Sequence, residues 1–151
     1  MEHFKEQMKA FYVRDLNQLA DEIQEVQDDL LWETYPGITN SCGVLAQHMT
    51  GNLNHYIGTG MGDTGYERDR EREFTNTGIS KAELIESINE TSVVIEETLD
   101  KMKAEQLDEP FPLYSSQEFT VGQMLIHLHG HFNYHLGQVN YLRRGLGENR
   151  G

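Results

Sequence analysis

Four of the chain's seven histidines, His127, His129, His131 and His135, fall within the run HLHGHFNYH. Imidazole nitrogens donate, accept and bind metal ions near neutral pH, so their placement around a helix decides which chemistry they can share. At 3.6 residues per turn, positions 127, 131 and 135 lie on one face, whereas 129 is turned roughly 160° away from 127 and 131. His127 and His135 are about 12 Å apart along the axis, too far for one ion whose nitrogen ligands sit about 2.0–2.1 Å away. One ion therefore takes His131 with a single neighbour. Alternating steps of three and four give Val121, Met124, Leu128, His131, His135, Gln138 and Leu142, predicting an apolar seam broken in its middle by polar residues, with His127 beside it. Polar groups in a dry seam need partners, which selects His131 and His135 as candidate metal ligands. Phe132 follows His131, so the pair lacks the glutamate of the HExxH metalloprotease motif.

Two nitrogens make a weak site, and a third has to come from another helix. His48 and His55 are the internal candidates, His3 being close to a fraying end. They are separated by about 10 Å of helix, so one ion cannot use both, and periodicity leaves the choice between them open. Gln138, one turn after His135, is placed to orient an imidazole or a bound water. Arg68, Arg70 and Arg72 in YERDRERE could receive an anionic substrate group; the interleaved Glu67, Asp69, Glu71 and Glu73 equally make them a mutually screened charge run. Cys42 reads as a small buried side chain near a helix start, and Tyr134 and Tyr141 as packing aromatics that could also donate to a ligand.

Four amphipathic segments must position these residues. Phe4, Met8, Phe11, Leu19, Ile23, Val26 and Leu30 predict a first helix of about eight turns, ended by Pro36 and Gly37. The second spans about residues 41–58, with Asn40 or Ser41 as cap and Gly58 and Gly60 closing it. The third opens on the capping box Ser80-Lys81-Ala82-Glu83 and frays near Leu107. The fourth opens on Thr120-Val121-Gly122-Gln123 and runs to Arg143 and Arg144, whose charges suit its C-terminal dipole. The expected fold is all-α, a four-helix bundle, with residues 1–151 forming one domain. Two connections, 59–79 and 108–119, are longer than bundle helices usually need, and GENRG reads as a loose tail.

Composition restricts the partners. Twenty-five acidic against twelve basic residues give a formal charge of −13, which disfavours nucleic acid and anionic membranes. One cysteine excludes an intramolecular disulfide and suggests a reducing compartment. MEHFKEQMKAF has neither a leader pattern nor a spanning segment, so a cytoplasmic protein is expected.

LAQHMTGN at 45–52, GYERDREREF at 65–74 and HFNYHLGQVNYLRR at 131–144 resemble the DinB-like, or YfiT-like, metalloenzymes, in particular a branch of unknown function. The resemblance covers nearly the whole chain. It implies a bundle of unusual topology in which His48, His131 and His135 hold a divalent ion such as nickel or zinc, so the choice of His48 over His55 comes from the resemblance alone. Family members with assigned activities use low-molecular-weight thiols. By analogy, the expected activity is a metal-dependent transferase in which a small thiol attacks an electrophile, with a homodimer as the assembly. A metal-dependent hydrolase and a non-catalytic metal-binding stress-response module are the alternatives.

Overall fold

The computed structural model describes residues 1–113 and 118–148. Four long helices form a bundle: α1 (Glu2–Glu25), α2 (Cys42–Leu53), α4 (Lys81–Lys101) and α5 (Val121–Glu148), with a short α3 (Arg70–Thr75) laid along α2. Among the described residues, none of these helices is long and apolar enough to cross a membrane.

Long-range contacts fix the direction of each helix. Lys5 Nζ donates to the Met102 carbonyl and Lys81 Nζ to the Val26 carbonyl, so α1 and α4 are antiparallel. Tyr12 donates to the Leu125 carbonyl, Asp15 meets His129, and Glu22 meets Arg143, so α1 and α5 are parallel. Asn54 reaches Thr91 while Gly62 abuts Thr98, making α2 parallel to α4. Cys42 faces Val139 and His48 faces His131, making α2 antiparallel to α5. The order is thus up, down, down, up, with α4 and α5 at opposite corners. Parallel neighbours cannot be joined by a tight turn. The chain leaving α2 at Gly62 is level with Thr98 and must climb back to Ser80, about 26 Å of helix rise, before α4 can start. The long connection is therefore a requirement of the topology.

The caps work locally. Val44 N–H donates to the Ser41 Oγ, Ser80 and Glu83 form the reciprocal capping box, and Thr120 and Gln123 form another. The core is built from Tyr12, Leu16, Leu19 and Ile23 of α1 with Met49, Leu53, Ile88, Ile95, Leu99, Leu128 and Phe132.

Several boundaries differ from the sequence expectation. The first helix stops at Glu25, and a separate 3₁₀ turn, Asp28–Leu30, carries Leu30 and Leu31 into the core. Its end is set by Lys81, a residue of α4 that caps the Gln24 and Val26 carbonyls and pairs with Asp28, a long-range effect invisible to periodicity. Helix α2 does not end at Gly58 but continues through a π-helical turn, Asn54–Thr59, to Gly62. The third helix ends at Lys101 and a 3₁₀ turn follows at Ala104–Asp108. Helix α5 passes Arg143 and Arg144 and reaches Glu148; Arg143 bonds Glu22 and Glu25 of α1 instead of serving as a helix-end charge. Part of the predicted 108–119 connection and the last three residues of GENRG lie outside the described residues.

Two helical glycines offer a paired test. A Cβ at Gly43 would stand 2.5 Å from the Trp32 ring, whereas one at exposed Gly130 meets nothing within 4 Å. Gly130→Ala should stabilise by about 0.5–1 kcal/mol through helix propensity, and Gly43→Ala should destabilise by about 1–3 kcal/mol, both read from urea unfolding.

Candidate metal centre

The site sits at the seam between α2 and α5, where His48, His131 and His135 each direct a ring nitrogen to a common point, all within 4.8 Å of one another. His131 Nε2 is 3.4 Å from His48 Nε2 and 3.1 Å from His135 Nε2. Two of the remote nitrogens are committed. His48 Nδ1 lies 3.1 Å from Glu73 Oε1 and His135 Nδ1 lies 2.6 Å from Gln138 Oε1. Both partners are acceptor oxygens, so each Nδ1 carries the proton and each Nε2 presents a lone pair. Lone pairs converging at such distances repel unless a proton or cation lies among them. Nitrogens held at about 2.0–2.1 Å from a tetrahedral ion would stand about 3.3 Å apart, so the donor set fits a divalent ion that imidazole suits.

The histidines are not in the middle of the apolar seam. The buried residues of α5 are Val121, Met124, Leu125, Leu128, Phe132, Leu136, Val139 and Leu142, and His131, His135 and Gln138 lie along the edge of that set, each one residue before a buried member, on the side of α2. Strict steps of three and four drift by roughly 20° per heptad against the true 3.6 period, which moved the expected seam onto the histidines. They flank the core, half-buried, and that leaves one side of the site approachable.

The segment after α2 completes the surroundings. Glu73 of α3 is buried and accepts from Arg68 Nε at 2.8 Å and Nη2 at 2.9 Å as well as facing His48. Arg68 is therefore turned inward, its guanidinium above the Tyr56 ring at 6.0 Å; Arg70 is exposed, over Phe74 at 5.4 Å. The Phe74 ring lies 5.0 Å from that of His48. Glu73 escaped the sequence reading because it stands in an alternating charge run, where only its register, one acid in four lying on the inner face of a short helix, distinguishes it.

The other four histidines lie apart from this cluster, His3 being exposed at the start of α1. His55 packs edge-on against Tyr56, His127 is exposed beside Phe119, and His129 bonds Asp15 of α1. Cys42 is buried, its thiol pushed up to about 12 chiefly by burial. Tyr134 and Tyr141 are largely exposed rather than packing residues, with Tyr134 against His135. The Asn52 Oδ1, one turn beyond His48, is a buried oxygen with no hydrogen-bond partner among the described residues.

Burial, reinforced by His135, His48, His127 and Arg68, pulls the His131 imidazole down to about 4. Burial also lowers His135, against the opposing hydrogen bond with Gln138. Burial opposes ionisation of Glu73, but Arg68 and His48 outweigh it and hold the carboxyl below its usual value.

The all-helical bundle with this three-histidine cluster has the fold of the DinB-like proteins. The chain superimposes on a DinB-like protein from Bacillus cereus with a TM-score of 0.71 at 20% identity, covering 95% of this chain and 91% of that one. A DinB-like protein, YjoA, from Bacillus subtilis gives 0.70 at 18% identity over 93% and 92%, and a protein from Streptococcus pneumoniae gives 0.67 at 16% identity over 91% of each. The chain belongs to the family described as "Protein of unknown function (DUF1572)", whose model matches residues 2–150. No curated protein sequence is significantly similar to it.

The depressed His131 value gives a signed expectation for the metal-free protein. The unfolded chain binds a proton near pH 6.5 that folded His131 refuses until about 4, so stability should be full above 6.5 and fall as pH drops from 6.5 toward 4. Denaturant midpoints across that window check it, and His131→Gln should flatten the slope.

Proposed function

We propose that the chain is a divalent-metal-dependent enzyme in which His48, His131 and His135 hold the ion, nickel or zinc, and a low-molecular-weight thiol is activated for transfer to an electrophile. The convergence of three Nε2 atoms carries this reading. An ion held by three neutral imidazoles keeps an open position and supplies Lewis acidity that favours the deprotonated form of a thiol or water.

The chain's own groups bind and orient. Gln138 fixes the His135 ring, Glu73 fixes that of His48, and Phe74 and Tyr134 wall the site with aromatic surface. In the transfer, sulfur forms a bond to the electrophilic carbon, the bond to the leaving group breaks, and the thiol proton passes to solvent. A cleft of about 550 Å³ lined by Tyr35, Ile38, Leu45, Gln138, Tyr141 and Leu142 begins at Gln138, and its size and apolar walls suit a small organic electrophile. Arg70, whose side chain faces solvent beside Phe74, is placed to meet an anionic group, whereas Arg68 is engaged by Glu73.

The outer face of α5 presents Ile126, Tyr134 and Tyr141 with Gly130 and Gly137 between them, an exposed apolar stripe that supports a homodimer. Light scattering at low concentration should give twice the chain mass, and Tyr134→Ser with Tyr141→Ser should give a monomer.

Protein purified without a histidine tag should carry close to one ion per chain, and His48→Ala, His131→Ala and His135→Ala should each lose it. Metal-loaded protein should turn over a bimane or dinitrobenzene electrophile only when a thiol is present, with His135→Ala reducing the rate at least a hundredfold. Thiol-independent ester or amide cleavage would favour a hydrolase, and inactivity toward both with the ion in place would favour a non-catalytic metal-binding module.

A further inference from the structure

The chain spends an unusual amount of buried polar chemistry on one point outside the three histidines. Glu73 is 6% exposed and the Arg68 side chain 10%, yet both are charged, and their pairing joins a loop residue to the short helix α3 against α2. Burying such a pair is costly and seldom repaid in stability alone. The backbone has been shaped to accept it. A Cβ at Gly51 would lie 2.1 Å from Glu73 Oε2, so only glycine lets the carboxylate reach the surface of α2. Gln47, one turn before Gly51, donates its Nε2 to the carbonyls of Glu73 and Asn76 at 3.3 and 2.7 Å, which fixes the main chain of α3.

We propose that Glu73 and Arg68 are positioning residues of the metal centre: the carboxylate holds His48 with its proton on Nδ1 and its Nε2 toward His131 and His135, and so makes docking of the 63–76 segment and ion binding a single coupled event. This rests on the metal-binding reading above. Arg68 Nη2 also lies 3.4 Å from His48 Nδ1, but a guanidinium only donates. An unprotonated Nδ1 would turn its lone pair at the nearer Glu73 oxygen, so Nδ1–H to Glu73 is the arrangement that satisfies all three groups. Arg68 uses both its Nε and Nη2 on the carboxylate, which sets the carboxylate plane and leaves Oε1 facing the imidazole. Coupling follows by reciprocity. If Glu73 favours ion binding by orienting His48, an ion on His48 favours the docked position of Glu73 to the same extent.

The test uses the full chain with Zn²⁺ and Co²⁺ alone as probes. Glu73→Gln should weaken Zn²⁺ binding about 10–100-fold in chelator competition and change the Co²⁺ visible spectrum. Gly51→Ala, which leaves Glu73 and Arg68 in the sequence but evicts the carboxylate, should reproduce both effects, and Glu73→Asp should recover part of the affinity. In the wild-type protein, hydrogen exchange of residues 66–76 should slow on Zn²⁺ addition while Ile88–Leu99 of α4 is unaffected; this measurement stands if Glu73→Gln does not fold. Zn²⁺ affinity of Glu73→Gln within twofold of wild type, an unaltered Co²⁺ spectrum, or exchange in 66–76 indifferent to Zn²⁺ would overturn the proposal. A wild-type chain that takes up no ion would instead overturn the metal-binding reading beneath it.

Discussion

The parallel course of α2 and α4 is the constraint from which the rest of the architecture follows. It forbids a short turn, so the chain must travel back along the bundle, and the surface available for that return is α2 itself. Contacts from Thr59–Tyr66 through Gly51–Glu73 to Gln47–Asn76 show the returning segment running antiparallel to the chain from Gln47 to Thr59. His48 stands between the Gly51 and Gln47 contacts on that route. A connection imposed by topology thus passes within hydrogen-bond reach of the one α2 histidine that faces α5, and the short helix α3 gives Glu73 the register to use it.

The electrostatics of the cluster are consistent with its position at the margin of the core. Three imidazoles so close cannot all be charged, and burial favours the neutral form of His131 and His135 further. With Nδ1 of His48 and His135 occupied, the Nε2 atoms are left facing one another as a donor set suited to an ion. The Glu73 carboxylate and Arg68 guanidinium cancel locally, so the charge of a bound divalent ion is opposed only weakly by its near surroundings, while the strongly acidic chain attracts cations at longer range.

Local signals in the sequence carried far. Ser41, Ser80–Glu83 and Thr120–Gln123 form caps because their bonds span three residues, and the long apolar periodicities located all four bundle helices. What could not be read was set by distant partners, with Lys81 ending α1 and Arg143 drawn to Glu22; the Asp69 cap of α3 is local but is hidden in what reads as a charged loop. On α5 the spacing picked out the histidine pair that the structure brings beside His48, through an inexact placement of the seam. Angular proximity of His131 and His135 survives a 20° drift per heptad, whereas assignment to core or margin does not. The choice between His48 and His55 depended on which side of α2 meets α5, a packing fact; the π-helical turn at Asn54–Thr59 displaces His55 from any simple continuation of the α2 face.

A second constellation in the same molecule separates pairing from function. Asp15, buried on α1, accepts from Arg14, from Asn133 and from His129 Nε2 at 2.7 Å, so a carboxylate, an arginine and a histidine meet there as they do at Glu73. The chemistry of the pairs is nearly identical, but the surroundings of the imidazoles are not. The ring of His129 is stacked on Phe11 and edge-on to Tyr12, and among the described residues the histidine joins no group of converging ligand atoms. That pair ties α1 to α5, which are parallel neighbours with no direct connection, and both oxygens of the Asp15 carboxylate are satisfied within the protein. At His48 the pairing uses only one nitrogen and turns the other toward two more. A buried carboxylate–histidine contact therefore marks structure by default; it marks a candidate metal centre only where the far nitrogen is left without a protein donor and other lone pairs meet it, a condition that the antiparallel packing of α2 on α5 supplies at His48 and the parallel packing of α1 on α5 does not supply at His129.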